Sequence, residues 1–471
     1  MFFDPEPQDE LSGVLMFRVG RADEEPSWGG VSHLVEHLAL HRMSDTEFDC
    51  NGTTGPLVTL FGATGTPDEV GGFLNDVSRA LNDLPLERVP IEARILRTEA
   101  LSRAPGLSEE ALWFRFGNRG HGVRYMPELL LRSPSEERVR VWAADRFTAG
   151  NAALWFSGPP PAALDLKLPP GPRRPAPDSP TMEGISWPAC VPVQAPRVGV
   201  SMIVMREQRL SYVLEIAVRR ITRMLRHEQG VAYAVPFTYD ALDRDTAFAG
   251  MWVDCLAQHV VAVRDGMLGT LTTLAKEGPN PEELAILGHP RRFADRPERR
   301  KEALANACYN ELLGFPVLDP DEYASELQTL DPARLASGLG EALRTALVTL
   351  PIGYDAPPGF LMYPVVSRAR VRGRVHRSVL ARWPWSVGDE LIVADDGVSW
   401  IQRGGKAITV TFPACAAAVL HPGDTLTLYG DDGFALTVAP DAWRDGARAV
   451  QRIVDRLPRG KLVDARAIGR G

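Results

Sequence analysis

Along the first third of the chain the apolar residues change their period several times. Leu11 to Val19 is a short apolar, β-favouring run that ends at Gly20, before the acidic turn Asp23-Glu24-Glu25-Pro26, and it predicts a strand. Val31, Leu34, Val35, Leu38 and Leu40 then recur at helical spacing, in a helix opened by Ser32 or by Gly29 and Gly30. Asn51 to Gly55 reads as a turn and Leu57 to Phe61 as a strand. Pro67 opens a helix through Phe73, Leu74, Val77 and Leu81. A further helix over Ile91 to Arg103 carries Glu92 and Glu99 about two turns apart, on one face. Ser133 to Glu136 starts a helix running to Arg146, and Asn151 to Gly158 reads as a strand.

Proline dominates from Pro159 to Pro188, which predicts an extended, semi-rigid linker. A second run of elements follows: a strand over Val198 to Val204, a long helix from Leu210 through Leu225 ended by Gly230, a helix starting at Asn280, and another from Asp331 through Leu343 and Leu347. After Pro357-Pro358-Gly359 the pattern shortens to alternating strands: Ala369–Val375, Glu390–Val393, Val398–Ile401, Ala407–Phe412, Thr425–Tyr429 and Phe434–Val438. Asp441 is placed to cap a last helix with Trp443, Ala447, Val450, Val454 and Leu457 on one face.

The composition narrows the class. With 471 residues, 45% hydrophobic and 24% charged, the chain is globular and long enough for about three domains. A formal net charge of −8 with no basic stripe argues against a nucleic-acid or anionic-membrane surface. The alternating Arg368, Arg370, Arg372 and Arg374, with Arg377, read as a solvated strand face. Five scattered cysteines without a Cys-x-x-Cys pair indicate neither a disulfide framework nor a cysteine zinc site. The N-terminus lacks a signal-peptide pattern and no long apolar run occurs, so the expectation is a soluble, cytoplasmic protein.

The chemistry concentrates at His33-Leu34-Val35-Glu36-His37, two of only nine histidines. On a helix, His33 and His37 stand one turn apart on one face, about 5–6 Å between Cβ atoms, near enough to share an ion. His-x-x-Glu-His is a zinc-hydrolase signature. A catalytic zinc takes about three protein ligands and holds a water whose pKa falls to about 7, and a neighbouring carboxylate can accept that water's proton. The pattern also fits a buried helix with two satisfied histidines. A third ligand is open on spacing alone.

Gly20 to Glu24, Gly30 to Leu40, Asn51 with Thr54, and Glu92-x6-Glu99 together resemble successive landmarks of the insulinase/pitrilysin metallopeptidases, the family that includes mitochondrial processing peptidase. The resemblance implies zinc held by His33, His37 and Glu99, Glu36 as general base, and Glu92 as a supporting carboxylate. The spacing from His37 to Glu99 is shorter than usual for that family, which leaves Glu109, Glu110 and His41 as rival ligands. Leu225 to Tyr233 resembles the family's Arg-x6-Tyr motif, so Arg226 and Tyr233 are expected to hold substrate and stabilise the reacting carbonyl, and Asn51 to touch substrate backbone.

The implied fold class is α+β: two insulinase-like halves, antiparallel sheet plus helices, over 1–158 and 191–356 in a clamshell, joined by the 159–190 linker. A small β-barrel-like, pleckstrin-homology-like domain with a terminal helix follows over 364–460. The implied function is a zinc endopeptidase acting on short unstructured peptides or a precursor or leader peptide, with a homo- or heterodimer left open. The alternative is a non-catalytic or partner-dependent scaffold subunit, since the family contains both.

Overall fold

The computed structural model describes residues 1–7, 10–43, 47–102, 106–287, 296–317, 322, 325, 329–367, 369–379 and 387–469. Arg103 and Arg368, both part of the elements expected above, lie outside the described residues. The chain forms two compact units. One gathers residues 8–152, 160–182 and 364–471; the other gathers 1–7, 153–159 and 183–363.

In the first unit, strand Leu11–Phe17 runs antiparallel to Thr59–Gly65, which pairs antiparallel with Asp49–Thr54 at the sheet edge. The helices are α1 (Val31–Leu40), α2 (Pro67–Asn82), α3 (Val89–Ser102), α4 (Leu107–Phe116) and α5 (Glu136–Arg146). α2 starts at Pro67 and α5 at Glu136, where the sequence pattern places helix starts; Thr66 caps α2 with Glu69 bonded back to it, and Ser135 caps α5. Phe17 lies in the core between Phe61 and Phe147, with ring centroids 6.2 and 5.2 Å away. Asn51 to Thr54 is strand rather than turn. Gly55 N–H donates to Val58 O at 2.8 Å, so the hairpin turns at residues 55–58 and the next strand starts at Thr59. An edge strand of small polar residues carries no apolar alternation to betray it.

The first part of the proline segment lies along this unit without helix or strand. Arg18, fully buried, ties it down: its guanidinium pairs with Asp23 and donates to Leu57 O at 2.6 Å, Pro175 O at 2.9 Å and Arg174 O at 3.3 Å. Among the described residues the C-terminal segment forms two four-stranded sheets, with no closed barrel. One is antiparallel, with Arg374–Arg377, Glu390–Val393, Gly397–Ile401 and Ala407–Thr411. In the other, Ala435–Val438, Leu426–Gly430 and Cys415–Leu420 pair antiparallel, and Leu462–Asp464 adds in parallel to Cys415–Leu420. The terminal helix spans Gly446–Val454, so Asp441 does not cap it; Trp443 precedes it and is buried in the core shared by both sheets.

The second unit is built on a six-stranded sheet in the order Leu361–Met362, Ala189–Val193, Leu347–Pro351, Arg197–Met205, Thr246–Asp254, Phe237–Ala241. Helices Leu210–Thr222, Val260–Glu277 and Pro332–Leu343 pack on it through Val213, Ala217, Met267, Leu271 and Leu339. Leu347 begins a strand and not a helix end, because Leu347, Val348 and Leu350 form a continuous buried run in the sheet interior. The long helix passes at Arg223–Glu228 into a π-helical turn before Gly230. Both units are α+β, with largely antiparallel sheets packed against helices. All five cysteines are free, and among the described residues no helix is long and apolar enough to cross a membrane.

Replacing Arg18 by Met leaves Asp23 buried, its remaining cationic partner Arg146 at 3.9 Å, and strips three carbonyls of a donor. The expected loss is about 3–5 kcal/mol of stability, read by urea denaturation. A loss below about 1 kcal/mol contradicts this anchoring role.

Candidate metal centre

The site begins with the way α1 is held. Gly30 takes a left-handed conformation, φ +93°, just before the helix, and supplies no side-chain cap. The cap comes from Glu24, whose buried carboxylate accepts from Gly30 N at 2.7 Å and Ser32 N at 2.9 Å. An anion there satisfies free N–H groups and lies at the positive end of the helix dipole. Arg21 pairs with Glu24 at 2.9 Å. Trp142 of α5 donates to Ser32 Oγ at 3.0 Å, and Val31, Leu34, Val35 and Leu38 are buried in the core. The helix is thus fixed at its start and along its apolar face.

His33 and His37 rings stand 5.1 Å apart, nearly perpendicular. Their Nε2 atoms both lie 3.8 Å from Oε2 of Glu99, on α3. That spacing is too long for a hydrogen bond. It is near the edge of about 3.3–3.4 Å expected between ligands each about 2 Å from one tetrahedral zinc. The opposite ring nitrogens face other carboxylates: His37 Nδ1 is 3.5 Å from Oε2 of Glu92, and His33 Nδ1 is 3.4 Å from Oε1 of Glu128. Such partners fix which nitrogen of a ligating histidine is free for the metal. Ligand atoms of His33, Glu36 and His37 also lie within 4.8 Å of one another. The donor set therefore fits a divalent ion of zinc's preferences, with Glu36 close by.

Glu36 is buried, and Thr54 Oγ1 of the edge strand donates to its Oε2 at 2.8 Å. A Cβ on Gly52 would stand 2.8 Å from both Cγ and Oε1 of Glu36, so only glycine lets that strand close on the carboxylate. Burial raises the Glu36 pKa, His33, Thr54 and His37 pull it back, and Glu99 adds to the rise; the net shift is upward. For His33, burial opposes the charged form, but the carboxylates of Glu128, Glu36 and Glu99 outweigh it, and its pKa is raised.

The structure therefore brings together His33, Glu36, His37, Glu92 and Glu99. His41 approaches Glu92, 3.8 Å from Nδ1 to Oε1, while Arg88 bonds that same oxygen at 2.8 Å. Glu109 is engaged in capping α4, accepting from Gly106 N at 2.7 Å, and Glu110 stands beside it in the first turn of that helix. Asn51 is exposed on the edge strand, its Oδ1 accepting from Gly52 N. Arg226 and Tyr233 belong to the other unit. There the Arg226 guanidinium stacks 5.0 Å from the Tyr233 ring, and both line an open, mostly apolar cleft of about 570 Å3 with Pro196, Val231 and Leu256. Sequence reasoning missed Glu24 and Glu128. Glu24 passes for part of an exposed acidic turn, and Glu128 follows a proline in a segment with no period; the sole hint was an acid set directly before Leu129-Leu130-Leu131.

No protein-family model matches the chain, and no curated protein does. Solved structures do share its fold. A protease from Helicobacter pylori superposes with TM-score 0.61 at 13% identity, covering 74% of this chain and 96% of that one. A peptidase M16 inactive domain from Pseudomonas fluorescens gives 0.59 at 12%, covering 75% and 96%. The periplasmic protease PqqL from Escherichia coli gives 0.58 at 13%, covering 87% of this chain and 54% of that one. The chain has the fold of the M16, insulinase-type peptidases, a fold found in proteins described as proteases and in a domain described as inactive.

Because His33 binds its proton more tightly folded than unfolded, its share of the metal-free chain's stability is complete below the unfolded value of about 6.5 and is lost as pH rises through the raised folded value. Denaturation of metal-free protein at a series of pH values checks this. The decline from about pH 6.5 upward is expected to flatten in His33→Gln. An equal slope in both proteins counts against the shift.

Proposed function

We propose that this chain is a zinc-dependent endopeptidase. The observation that carries the reading is the pair of Nε2 atoms equidistant, at 3.8 Å, from one Glu99 oxygen, with each opposite ring nitrogen facing another carboxylate. His33, His37 and Glu99 would hold the ion. Zinc bound there would supply Lewis acidity toward a peptide carbonyl and lower the pKa of a water.

Glu36 accepts the proton of the attacking water and returns it to the leaving amine. Its raised pKa makes the carboxylate a stronger proton acceptor than an ordinary one, which suits the first half of that transfer. The Thr54 hydroxyl, bonded to Oε2, holds the carboxylate in one orientation. Glu92, held by Arg88, orients His37. The substrate class follows from the edge strand Asp49–Thr54, which bears Thr54 and lies directly beside Glu36: an extended, unstructured peptide adding there as a further strand passes by the base. Asn51 on that strand is then a backbone contact, and Arg226 and Tyr233 are donors to the substrate. A precursor or leader peptide fits this class, and a partner chain in a homo- or heterodimer is compatible with it.

The test pairs metal content with cleavage of a mixed library of unstructured peptides, on the parent chain and two variants. Glu36→Gln is expected to keep about one zinc per chain and to lose turnover by about 10²–10⁴-fold. Gly52→Ala, which drives a methyl against Glu36 without touching a ligand, is expected to keep zinc and lower turnover by about tenfold or more. Parent-level turnover in Glu36→Gln would contradict the assignment of the base. A parent chain that takes up no zinc leaves the scaffold reading in its place.

A further inference from the structure

The two C-terminal sheets are part of the same compact unit as the candidate metal centre, and two of the segments they touch lie close to His33. The first is the approach to α1. Arg138 of α5 lies over the Trp28 ring, 5.1 Å from its centroid, and donates from one end to Ser27 O at 2.9 Å and from the other to Gly460 O at 3.0 Å. Lys461 pairs with Glu25 at 2.7 Å nearby. The second is the segment that carries Glu128. Met126 and Leu129, either side of it, are buried in one apolar cluster with Ala417, Val419, Val463 and Ala465 of the C-terminal sheet. Asn118, upstream, donates to Gly430 O at 2.7 Å.

Glu128 itself is held from the other side. Its Oε1 lies 3.2 Å from Arg21 Nη1 and 3.4 Å from His33 Nδ1, and Arg21 also donates to Met126 O at 3.1 Å. Leu130 N–H donates to Gly29 O at 3.0 Å. A Cβ on Gly30 would stand 2.8 Å from the Glu128 Cβ, so this glycine permits the close approach as well as the left-handed turn. One guanidinium thus bridges the cap of α1 and the partner of His33.

We propose that Glu128 is a positioning residue for His33 and that the C-terminal sheets brace the segment carrying it. A proton on His33 Nδ1, donated to Glu128, leaves Nε2 unprotonated toward Glu99 and sets the ring plane. The C-terminal module then acts as a wall of the metal centre. Its apolar strands Cys415–Leu420 and Leu462–Asp464 fill the space behind Leu129, so the Glu128 backbone cannot withdraw without opening a cavity.

The inference rests on the zinc reading above, and the experiment separates the two. Zinc affinity is measured by chelator competition on the full-length parent, Glu128→Ala, Glu128→Gln and Leu129→Ala, with circular dichroism to confirm folding. Glu128→Ala is expected to weaken zinc by about 10–100-fold, and Glu128→Gln, which keeps an oxygen acceptor, to recover part of that loss. Leu129→Ala, which touches no ligand, is expected to weaken zinc in the same direction. Cobalt(II) in place of zinc should give an altered absorption spectrum in Glu128→Ala, a change that mere loss of stability does not produce. Zinc affinity within about twofold of the parent in Glu128→Ala overturns the role of Glu128, since such partners ordinarily count for tenfold or more. Parent affinity in Leu129→Ala overturns the brace. Should Glu128→Ala not fold, parent affinity in both Glu128→Gln and Leu129→Ala overturns the whole. A parent that binds no zinc overturns this inference together with the reading it rests on.

Discussion

Two imidazoles one turn apart on α1 can share an ion only if each ring is turned so that its Nε2 faces the same point, and a ring is turned by what its Nδ1 bonds. In this protein the two Nδ1 atoms face carboxylates from different places, Glu92 on α3 and Glu128 beyond α4. Those carboxylates are themselves held by Arg88 and Arg21. The rest of the site depends on that arrangement. α3 supplies both Glu92 and Glu99 because seven residues make about two helical turns. The hairpin ending at Thr59 supplies Thr54 and the glycine that admits Glu36. Burying so many charges is tolerable because each carboxylate named here has a cation, a hydroxyl, a backbone N–H or a histidine against it.

The same physics explains what could be read from the sequence and what could not. His33, Glu36 and His37 are legible because a helix converts sequence spacing directly into geometry, and Glu92 with Glu99 for the same reason. The starts of α2 and α5 are legible because Pro67, and the Ser133 to Glu136 run, mark helix starts locally, within a few residues. Glu24 and Glu128 are not. Their roles arise from tertiary closure across turns without period, and in a sequence a buried acid looks the same as an exposed one. The edge strand at Asn51 is hidden by its polarity, and Leu347 fits either period because a buried strand and a buried helix end are both unbroken apolar runs. The last helix was placed too early because Asp441 is a good cap by type while Pro440–Ala442 forms a separate turn.

The proline segment reads in the sequence as an extended linker and the C-terminal residues as a small β-barrel-like domain. In the structure the linker's first part is tied down, with Arg174 and Pro175 carbonyls accepting hydrogen bonds from the buried Arg18. The C-terminal sheets share a buried cluster with the segment around Glu128. Both features consolidate the unit that contains the candidate metal centre, which suits the proposed site, where ligands would have to stay within a fraction of an ångström of their working positions.

The central claim is that one ion is held by His33, His37 and Glu99. Anomalous diffraction at the zinc absorption edge, from crystals of the full chain grown with zinc, tests it most directly. A single strong peak is expected about 2.0–2.2 Å from Nε2 of His33, Nε2 of His37 and one carboxylate oxygen of Glu99. A peak ligated through His41 or Glu109, or no peak near α1, would contradict it.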